Sequence, residues 1–351
     1  MSTDAGYDLE YRSFSLSLAE PLETAGGTID SRDGFLIRVT REDGAVGYGE
    51  ATPLSGWTES LADCEDALER AQTALDSDED DVLEAVDEAV AARYGVSLAL
   101  ADLEASSEST PLYRYYSPDA LVARVPVNAT VGDGSTEETV AAARNAVERG
   151  FGCCKLKVGR RSVEADVERM RRVREAVGPE IELRADANGA WDYEEALEAV
   201  EAFDDLEVSL VEQPLPAGAL EGHADLRGRG VGIALDEGLL EHGVDAICEA
   251  QAADAVVLKP MALGGLDIAQ QVATWVAQLG MTPLVTTTID GVVARAGAVH
   301  LAASLPDPPA CGLATGDLLA EDLGRDPVLF ENGAAVVPQA KGLGVEGVWT
   351  E

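Results

Sequence analysis

The sequence contains 351 residues, with 65 aspartates and glutamates against 25 lysines and arginines and a formal net charge of −40. Binding of nucleic acid or of an anionic membrane needs clustered basic residues, so this composition excludes both roles. Hydrophobic residues make up 46% of the chain, which is enough to bury a sizeable core. We therefore expect a folded acidic protein rather than a disordered chain.

Lysine is almost absent from this sequence. The chain contains only Lys155, Lys157, Lys259 and Lys341, so the other 21 basic residues are arginines. A surface rich in carboxylates and poor in lysine stays hydrated at high salt, where a screening length of about 3 Å at 1 M weakens self-repulsion. We interpret this composition as an adaptation to a halophilic cytoplasm.

The first 120 residues have a mixed α+β pattern. Residues 7–18, 34–40 and 45–50 alternate as strands do, with an Asp43-Gly44 turn before the last of them. Residues 59–106 follow helical patterns that are interrupted by an acidic run at 76–81, which we predict to be a solvated loop and helix start. The ten N-terminal residues lack the apolar segment of a signal peptide, so we expect a cytoplasmic protein.

From about residue 124 short apolar strands alternate with amphipathic helices. One such helix carries a buried stripe from Val163 to Val177 at spacings of three and four, and Ser135 with Glu138 forms a capping box at another. Eight strands in about 200 residues predict an α/β fold with a (β/α)8-type barrel, a modified TIM barrel, rather than an open doubly wound sheet. The predicted strands are 125–131, 153–158, 181–187, 208–213, 232–236, 255–260, 282–288 and 312–315.

Five consecutive predicted strands end in polar groups that are costly to bury without a purpose. Because barrel active sites lie at the carboxyl ends of the strands, we expect these groups to share one site. They are Lys155 and Lys157, then Asp186 and Asn188, then Glu212, then Asp236 and Glu237, and finally Lys259.

Four of these groups are carboxylates, and three of them lie on three adjacent strands, with Glu237 directly after the third. An all-oxygen set of Asp186, Glu212 and Asp236 suits a hard cation that keeps positions open for water and substrate, which favours Mg²⁺, with Mn²⁺ as a substitute. A single acid at a strand end would usually be a cap or an ion-pair partner. Three of only four lysines flank this set, however, and a neutral amine can do chemistry that arginine cannot.

These parts together predict proton abstraction next to a carboxylate. A metal ion that binds the substrate carboxylate acidifies its α-proton, because it stabilises the developing enediolate. The base would be a lysine whose pKa lies below the usual value of about 10.4, through partial desolvation and a second ammonium two residues away. Lys155 and Lys157 have this spacing.

The order Lys-x-Lys, Asp-x-Asn, Glu-Gln-Pro, Asp-Glu and Lys-Pro resembles the muconate-lactonising subgroup of the enolase superfamily over nearly the whole chain. The resemblance implies an α+β capping domain at 1–120, a barrel at 121–320 and a segment at 321–351 that returns to the cap. It implies that Lys157 and Lys259 catalyse the reaction from opposite sides of the substrate, and that Lys155 tunes Lys157. It also implies a substrate lined by cap loops at 24–28 and 54–57 and by Asn188, Thr287, Thr288, Asp290 and Thr315, with Glu237 orienting its neighbours.

The reaction is less constrained by the sequence than the fold is. The cap segment 49–60 is most similar to o-succinylbenzoate synthases, which dehydrate 2-succinyl-6-hydroxy-2,4-cyclohexadiene-1-carboxylate in menaquinone synthesis. Directly after Asp-x-Asn, where the family frequently has an arginine, this chain has Gly189. Dipeptide epimerases resemble one another in an Asp-x-Asp after strand eight, where this chain has Thr315-Gly316-Asp317. N-acylamino-acid racemases, including those for N-succinylamino acids, stay open as well, and muconate cycloisomerases are a third choice.

Two other classes of protein fit the sequence less well. A Schiff-base barrel enzyme could use a buried lysine but has no use for three converging carboxylates, and an acidic binding or storage protein would not depend on Lys157. We expect a small-molecule carboxylate as partner, whereas the sequence leaves a homo-oligomer open.

His223, His242 and His300 lie in helical patterns, where we expect surface or helix-terminal roles.

The composition makes one prediction about salt. In multimolar salt the protein should stay folded and soluble, and in low salt its mutually repelling carboxylates should lower its stability. Circular dichroism and light scattering across a salt series would measure both properties. Equal stability and solubility in low and multimolar salt would contradict a halophilic adaptation.

Overall fold

A computed structural model describes residues 6–24, 27–74 and 79–349 of the chain. The predicted cap loop at 24–28 and the acidic run at 76–81 lie partly outside these residues, and α2 begins at Glu79 within that run. Three antiparallel strands pair in the order β1-β2-β3. The N-terminal elements are β1 (Tyr7–Thr24), β2 (Gly27–Arg41), β3 (Val46–Ala51), α1 (Leu61–Ala74), α2 (Glu79–Val86), α3 (Val90–Ser107) and α4 (Leu112–Tyr116).

Helix α3 packs directly on strand β3 because two glycines face it. A Cβ atom on Gly49 would lie 1.8 Å from the Gly95 carbonyl oxygen, and one on Gly47 would lie 2.1 Å from the Ala99 carbonyl oxygen. Any larger residue would force the helix away from the sheet. Ile37 of β2 is fully buried here, in a hydrophobic core that continues into the barrel.

The barrel strands are parallel and pair in the order β11-β10-β9-β8-β7-β6-β5, which confirms the predicted fold class. Helices follow the strands and cover the outside of the sheet. The strands from residue 124 onwards, of which β5 to β11 form the barrel sheet, are β4 (Arg124–Pro126), β5 (Ala129–Val131), β6 (Cys153–Lys157), β7 (Glu182–Asp186), β8 (Val208–Glu212), β9 (Gly232–Leu235), β10 (Ala255–Leu258), β11 (Thr282–Val285), β12 (Leu329–Glu331) and β13 (Ala334–Val336). The helices are α5 (Thr136–Glu148), α6 (Val163–Val177), α7 (Tyr193–Asp204), α8 (Leu220–Leu226), α9 (Glu237–Ala250), α10 (Pro260–Leu263), α11 (Leu266–Gln278) and α12 (Val292–Ser304).

The first and last predicted barrel strands differ from the structure. The strand expected at 125–131 divides into β4, which pairs antiparallel with β13, and β5 in the barrel. The strand expected at 312–315 is reduced to single parallel bridges, from Cys311 to Val127 and from Gly312 to Thr286. Pro308 and Pro309 precede it and have no N–H to donate, so the ladder cannot extend upstream.

Two buried side chains of the N-terminal region fix it to the barrel. Glu50 accepts hydrogen bonds from the backbone N–H groups of Gly291 (2.6 Å) and Ala294 (3.0 Å) and so caps the start of α12. Burial raises the pKa of Glu50 to about 7, although these hydrogen bonds act in the opposite direction. Arg32 donates to the carbonyls of Thr52 at 2.8 Å and Ile289 at 3.3 Å. The segment after β3 is thereby held against the loop after β11.

The C-terminal segment contacts the N-terminal helices, while the proposed boundaries at 120 and 320 stay predictions. Leu343 donates its backbone N–H to Asp102 at 2.7 Å, and Leu112 donates to the Gly342 carbonyl at 2.8 Å. Within the described ranges, no helix is long and apolar enough to cross a membrane.

Two histidines are buried: His223 lies in the last turn of α8, as a helix-terminal role requires, whereas the expectation of a surface or helix-terminal role is wrong for His300. His300 lies on α12, which is buried along its length between cap and barrel. Its Nδ1 accepts the Tyr113 backbone N–H and its Nε2 donates to the Leu343 carbonyl, both at 3.2 Å. The neutral ring satisfies both contacts, and burial lowers the pKa of His300 to about 4.

His300 should make the protein less stable in acid. Its pKa is about 6.5 when unfolded and about 4 when folded, so its contribution is complete above pH 6.5 and is lost as pH falls towards 4. The loss amounts to about 3 kcal/mol. Urea unfolding at fixed salt should therefore show a shallower pH slope for His300→Asn than for the wild type.

The matched control is His242→Asn, because that imidazole is half-buried and bonds a single carbonyl, Ala217 O, at 2.8 Å. Parallel slopes for wild type and His300→Asn across pH 4 to 6.5 would contradict the assignment.

Candidate active site

Five neighbouring strands, β6 to β10, bring the predicted polar residues to one end of the barrel. Lys157 is the register partner of Asp186, and Asp186 is the register partner of Glu212. Glu212 pairs in turn with Ala234, two residues before Asp236. Parallel strands in register place their carboxyl ends at the same edge, so these side chains face a common centre.

Lys155 lies between two of the carboxylates. Its ammonium donates to Asp186 Oδ2 at 2.9 Å and to Glu212 Oε1 and Oε2 at 2.8 and 2.9 Å. Burial alone would lower the pKa of Lys155, but the two carboxylates outweigh it and raise the pKa above its usual value. For Asp186 burial opposes ionisation, yet Lys155 and Lys157 hold its pKa below the ordinary range.

Lys157 is the more accessible of the two lysines on β6. Its Nζ donates to Asp186 Oδ2 and to Asn188 Oδ1, each at 2.7 Å, and the side chain is 35% exposed. Asn188 has a φ of 47°, which turns the chain sharply after β7. Its amide Nδ2 lies 3.4 Å from Glu237 Oε1. Glu237 is the first residue of α9, and its predicted role of orienting its neighbours stays a prediction.

Lys259 approaches the site from the other side of the carboxylates. Its ammonium pairs with Asp236 Oδ2 and lies 3.4 Å from the centroid of the Trp57 ring. Trp57 belongs to the predicted cap loop at 54–57, so the cap does reach the barrel end. A cation over an indole face is a favourable electrostatic contact, worth about 0.5–2 kcal/mol.

The three carboxylates have the chemistry of a hard-cation site. In the described part of the chain no three His, Cys, Asp or Glu side chains converge closely enough to hold a metal ion, and the Lys155 ammonium contacts both Asp186 and Glu212. Asp236 Oδ1, by contrast, is buried without a hydrogen-bond partner. An orphaned carboxylate oxygen beside two acids that already share a cation fits an oxygen-binding ion such as Mg²⁺.

The remaining predicted substrate residues form two small clusters. Thr287, which follows β11, and Thr315 share a hydrogen bond of 2.9 Å between their Oγ1 atoms. Thr288 donates its hydroxyl and its backbone N–H to Asp290, which is also buried near Arg32. Burial raises the pKa of Asp290, and Arg32 counters the shift. Their contact with a substrate stays a prediction.

Sequence reasoning missed Gln213, the residue after Glu212. Its Oε1 accepts the backbone N–H groups of Asp236 and Gly238, both at 3.0 Å, and its Nε2 donates to the Leu215 carbonyl at 2.9 Å. The side chain therefore fixes the backbone at which Asp236 leaves β9. A glutamine between Glu212 and a proline was the available signal, but strand alternation gives it no role.

Two family models match the chain. Residues 138–349, more than half of it, match the model described as "Enolase C-terminal domain-like". The chain belongs to the enolase superfamily. Residues 9–115 match "Mandelate racemase / muconate lactonizing enzyme, N-terminal domain", in agreement with the subgroup that the sequence resembles.

Relatives within the superfamily catalyse different reactions. An L-Ala-D/L-Glu epimerase of Clostridium acetobutylicum is 27% identical over 97% of this chain and 98% of its own. An o-succinylbenzoate synthase of Thermobifida fusca is 40% identical, but over 61% of this chain and 66% of its own. The crystal structure of a dipeptide epimerase from Enterococcus faecalis V583, complexed with Mg and L-Leu-L-Tyr, has a TM-score of 0.85 at 27% identity and covers 97% of this chain and 99% of that one. This protein is thus an enolase-superfamily enzyme, and the relatives it matches include epimerases and a lyase.

Gln213 should contribute strongly to stability. The variant Gln213→Leu leaves the N–H groups of Asp236 and Gly238 buried without an acceptor, which should lower the free energy of unfolding by about 2–4 kcal/mol. Denaturant titration would measure the change. The control Gln271→Leu, at an exposed position of α11, should change it by less than about 0.5 kcal/mol. Equal effects of the two variants would contradict the role of Gln213.

Proposed function

We propose that this enzyme removes the α-proton of a small carboxylate in a Mg²⁺-dependent reaction, and that the reaction is the dehydration of 2-succinyl-6-hydroxy-2,4-cyclohexadiene-1-carboxylate to o-succinylbenzoate in menaquinone synthesis. The observation that carries the proposal is the placement of Lys157 beside Asp186 and of Lys259 beside Asp236 at the same end of the barrel, with Lys259 held against Trp57.

Asp186, Glu212 and Asp236 would hold the Mg²⁺ ion through carboxylate oxygens. When bound, the ion would supply positive charge next to the substrate carboxylate, where negative charge develops as the α-proton leaves. The dipeptide epimerase complex with Mg, which shares the fold, supports this cofactor. The Asp236 oxygen without a partner supports it independently.

Lys157 would act as the base and then as the acid. Its Nζ, as a neutral amine, takes the α-proton, so that the C–H bond breaks and its electron pair becomes part of the conjugated system. The C–O bond to the neighbouring hydroxyl then breaks, and Lys157 returns the proton so that water leaves. Both transfers occur on one face, and Lys157 is exposed enough to reach a substrate there.

The environment of Lys259 favours dehydration over a two-base reaction. In a racemase or epimerase each lysine must in turn be neutral, whereas in dehydration one lysine moves the proton and the other can stay charged. The Lys259 ammonium lies against the Trp57 face, which attracts only the charged form. This contact supports a permanent cation at that position.

Asp317 supports the same choice. In dipeptide epimerases the two acids after strand eight hold the substrate's ammonium, and here only Asp317 is available. Its side chain is 91% exposed and faces Arg149 at 3.7 Å. The position two residues earlier is Thr315, whose hydroxyl is bonded to Thr287. Neither residue offers a buried carboxylate for an ammonium.

Dipeptide epimerisation is the second candidate. It is supported by similarity over the whole chain, since the epimerase relative matches 97% of it whereas the o-succinylbenzoate synthase relative matches 61% at higher identity. A substrate panel should therefore contain the cyclohexadiene carboxylate, Ala-Glu-type dipeptides and N-succinylamino acids. Turnover only of the last two classes would overturn the dehydration proposal.

The variant Lys259→Arg separates the two mechanisms. Arginine keeps the charge and the contact with Trp57 but never deprotonates, so it can replace a permanent cation and cannot replace a base. We expect dehydration to fall about tenfold or less in Lys259→Arg and roughly a thousandfold in Lys157→Ala. Steady-state kinetics with and without Mg²⁺ would measure both.

The control for these lysine variants is Lys341→Ala, because Lys341 is exposed on the C-terminal segment. Its kcat and KM should equal those of the wild type. A loss of roughly a thousandfold in Lys259→Arg would contradict the one-base assignment, and full activity in Lys157→Ala would contradict the proposed chemistry altogether.

A further inference from the structure

Helix α6 carries a buried ion pair behind the strand that ends in Lys157. The Arg169 guanidinium pairs with the Asp166 carboxylate, and the two residues are 2% and 0% exposed. Neither residue belongs to the carboxylate site. A buried pair of this kind recovers little net stability, because desolvation of both charges offsets their attraction. Its contacts suggest a different purpose.

Both partners hold the backbone around Lys157. Arg169 NH2 donates to the Lys157 carbonyl at 3.0 Å, and Asp166 Oδ2 accepts the Gly159 backbone N–H at 2.7 Å. The ion pair therefore hydrogen-bonds to the main chain on both sides of Val158, where β6 ends and the chain turns towards α6. Arg169 Nε also donates to the buried Thr139 hydroxyl of α5 at 3.3 Å, which fixes the guanidinium from a second helix.

The side chain of Lys157 has less permanent support than its backbone. Its Nζ is held by Asp186 and Asn188, which are the groups proposed to bind the metal ion and to line the substrate. A base must exchange such contacts for the α-proton during turnover. The anchor that persists through this exchange is the backbone, which the β6–β7 ladder holds on one side and Asp166 and Arg169 hold from α6.

We infer that Asp166 and Arg169 are positioning residues for Lys157. They act through the Lys157 carbonyl and the Gly159 backbone N–H, and contact neither substrate nor metal. The inference rests on the proposed role of Lys157 as the base. It predicts that loss of the pair displaces the lysine while the carboxylates on β7 to β9 stay in place. A displacement of about 1 Å at a reacting group can lower turnover roughly a hundredfold.

The scarcity of lysine permits a direct test that does not need activity. Protein labelled with ¹³C at lysine Cε should give four side-chain signals, one for each lysine of the chain. In Asp166→Asn the Lys157 signal, assigned with Lys157→Met, should shift and narrow towards that of exposed Lys341. The Lys155 and Lys259 signals should stay where they are in the wild type.

Kinetics give a second readout. In Asp166→Asn we expect kcat to fall roughly tenfold to a hundredfold with KM changed less than about twofold, because substrate and Mg²⁺ contacts are untouched. A variant that merely loosened the fold would not separate kcat from KM in this way. Arg169→Lys keeps the buried charge but not the fork that reaches both partners, so it should lie between the wild type and Asp166→Asn.

The matched control is Asp254→Asn. Asp254 also pairs with an arginine, Arg227, at 2.8 Å and also accepts a barrel-strand N–H, from Ile233 at 2.9 Å, but at the opposite end of β9. It should leave kcat and the Lys157 signal unchanged.

Unchanged Lys157 signals and kcat in both folded α6 variants would overturn the inference. Full activity in Lys157→Ala would overturn the proposed base instead, and the labelled signals would still show whether the pair holds that lysine.

Discussion

The ammonium of Lys155 is the interaction on which the rest of the site depends. Asp186 and Glu212 are buried neighbours. Their negative charges repel each other, and a cation between them offsets this repulsion. Lys155 supplies that cation from the preceding strand and contacts both acids. Lys155 therefore reduces the cost of gathering these acids at one end of the barrel, although burial and the neighbouring carboxylates still raise the pKa of Glu212 to about 7.

The rest of the site is built outwards from this shared charge. Lys157 and Lys259 lie on opposite sides of the acids, one held by its backbone and the other by an aromatic ring from the cap. The two lysines thus differ in kind although the sequence presents them alike. A lysine anchored through its main chain can exchange the contacts of its amine without losing its position, whereas a lysine packed under Trp57 is fixed at the amine itself.

Much of this arrangement could be predicted from the sequence because it follows from strand alternation. Lysines two apart and acids at successive strand ends must share an edge in a parallel barrel. The contribution of Gln213 could not be predicted, because its hydrogen bonds depend on where β9 ends. The burial of His300 depends on the cap covering α12, and the bridges at Cys311 and Gly312 depend on how the barrel closes. Each of these is decided by long-range packing, which local patterns do not encode.

The capping of α12 by Glu50 has a consequence for protein engineering. The barrel helix begins on an acid that the N-terminal region supplies, and Arg32 spans the same boundary. The two regions are therefore not exchangeable modules. A chimaera that joins this barrel to the N-terminal region of a relative would fold well only if the donor carried an acid and an arginine at equivalent positions. Swapping loops within one cap is the safer route to altered substrate preference in this protein.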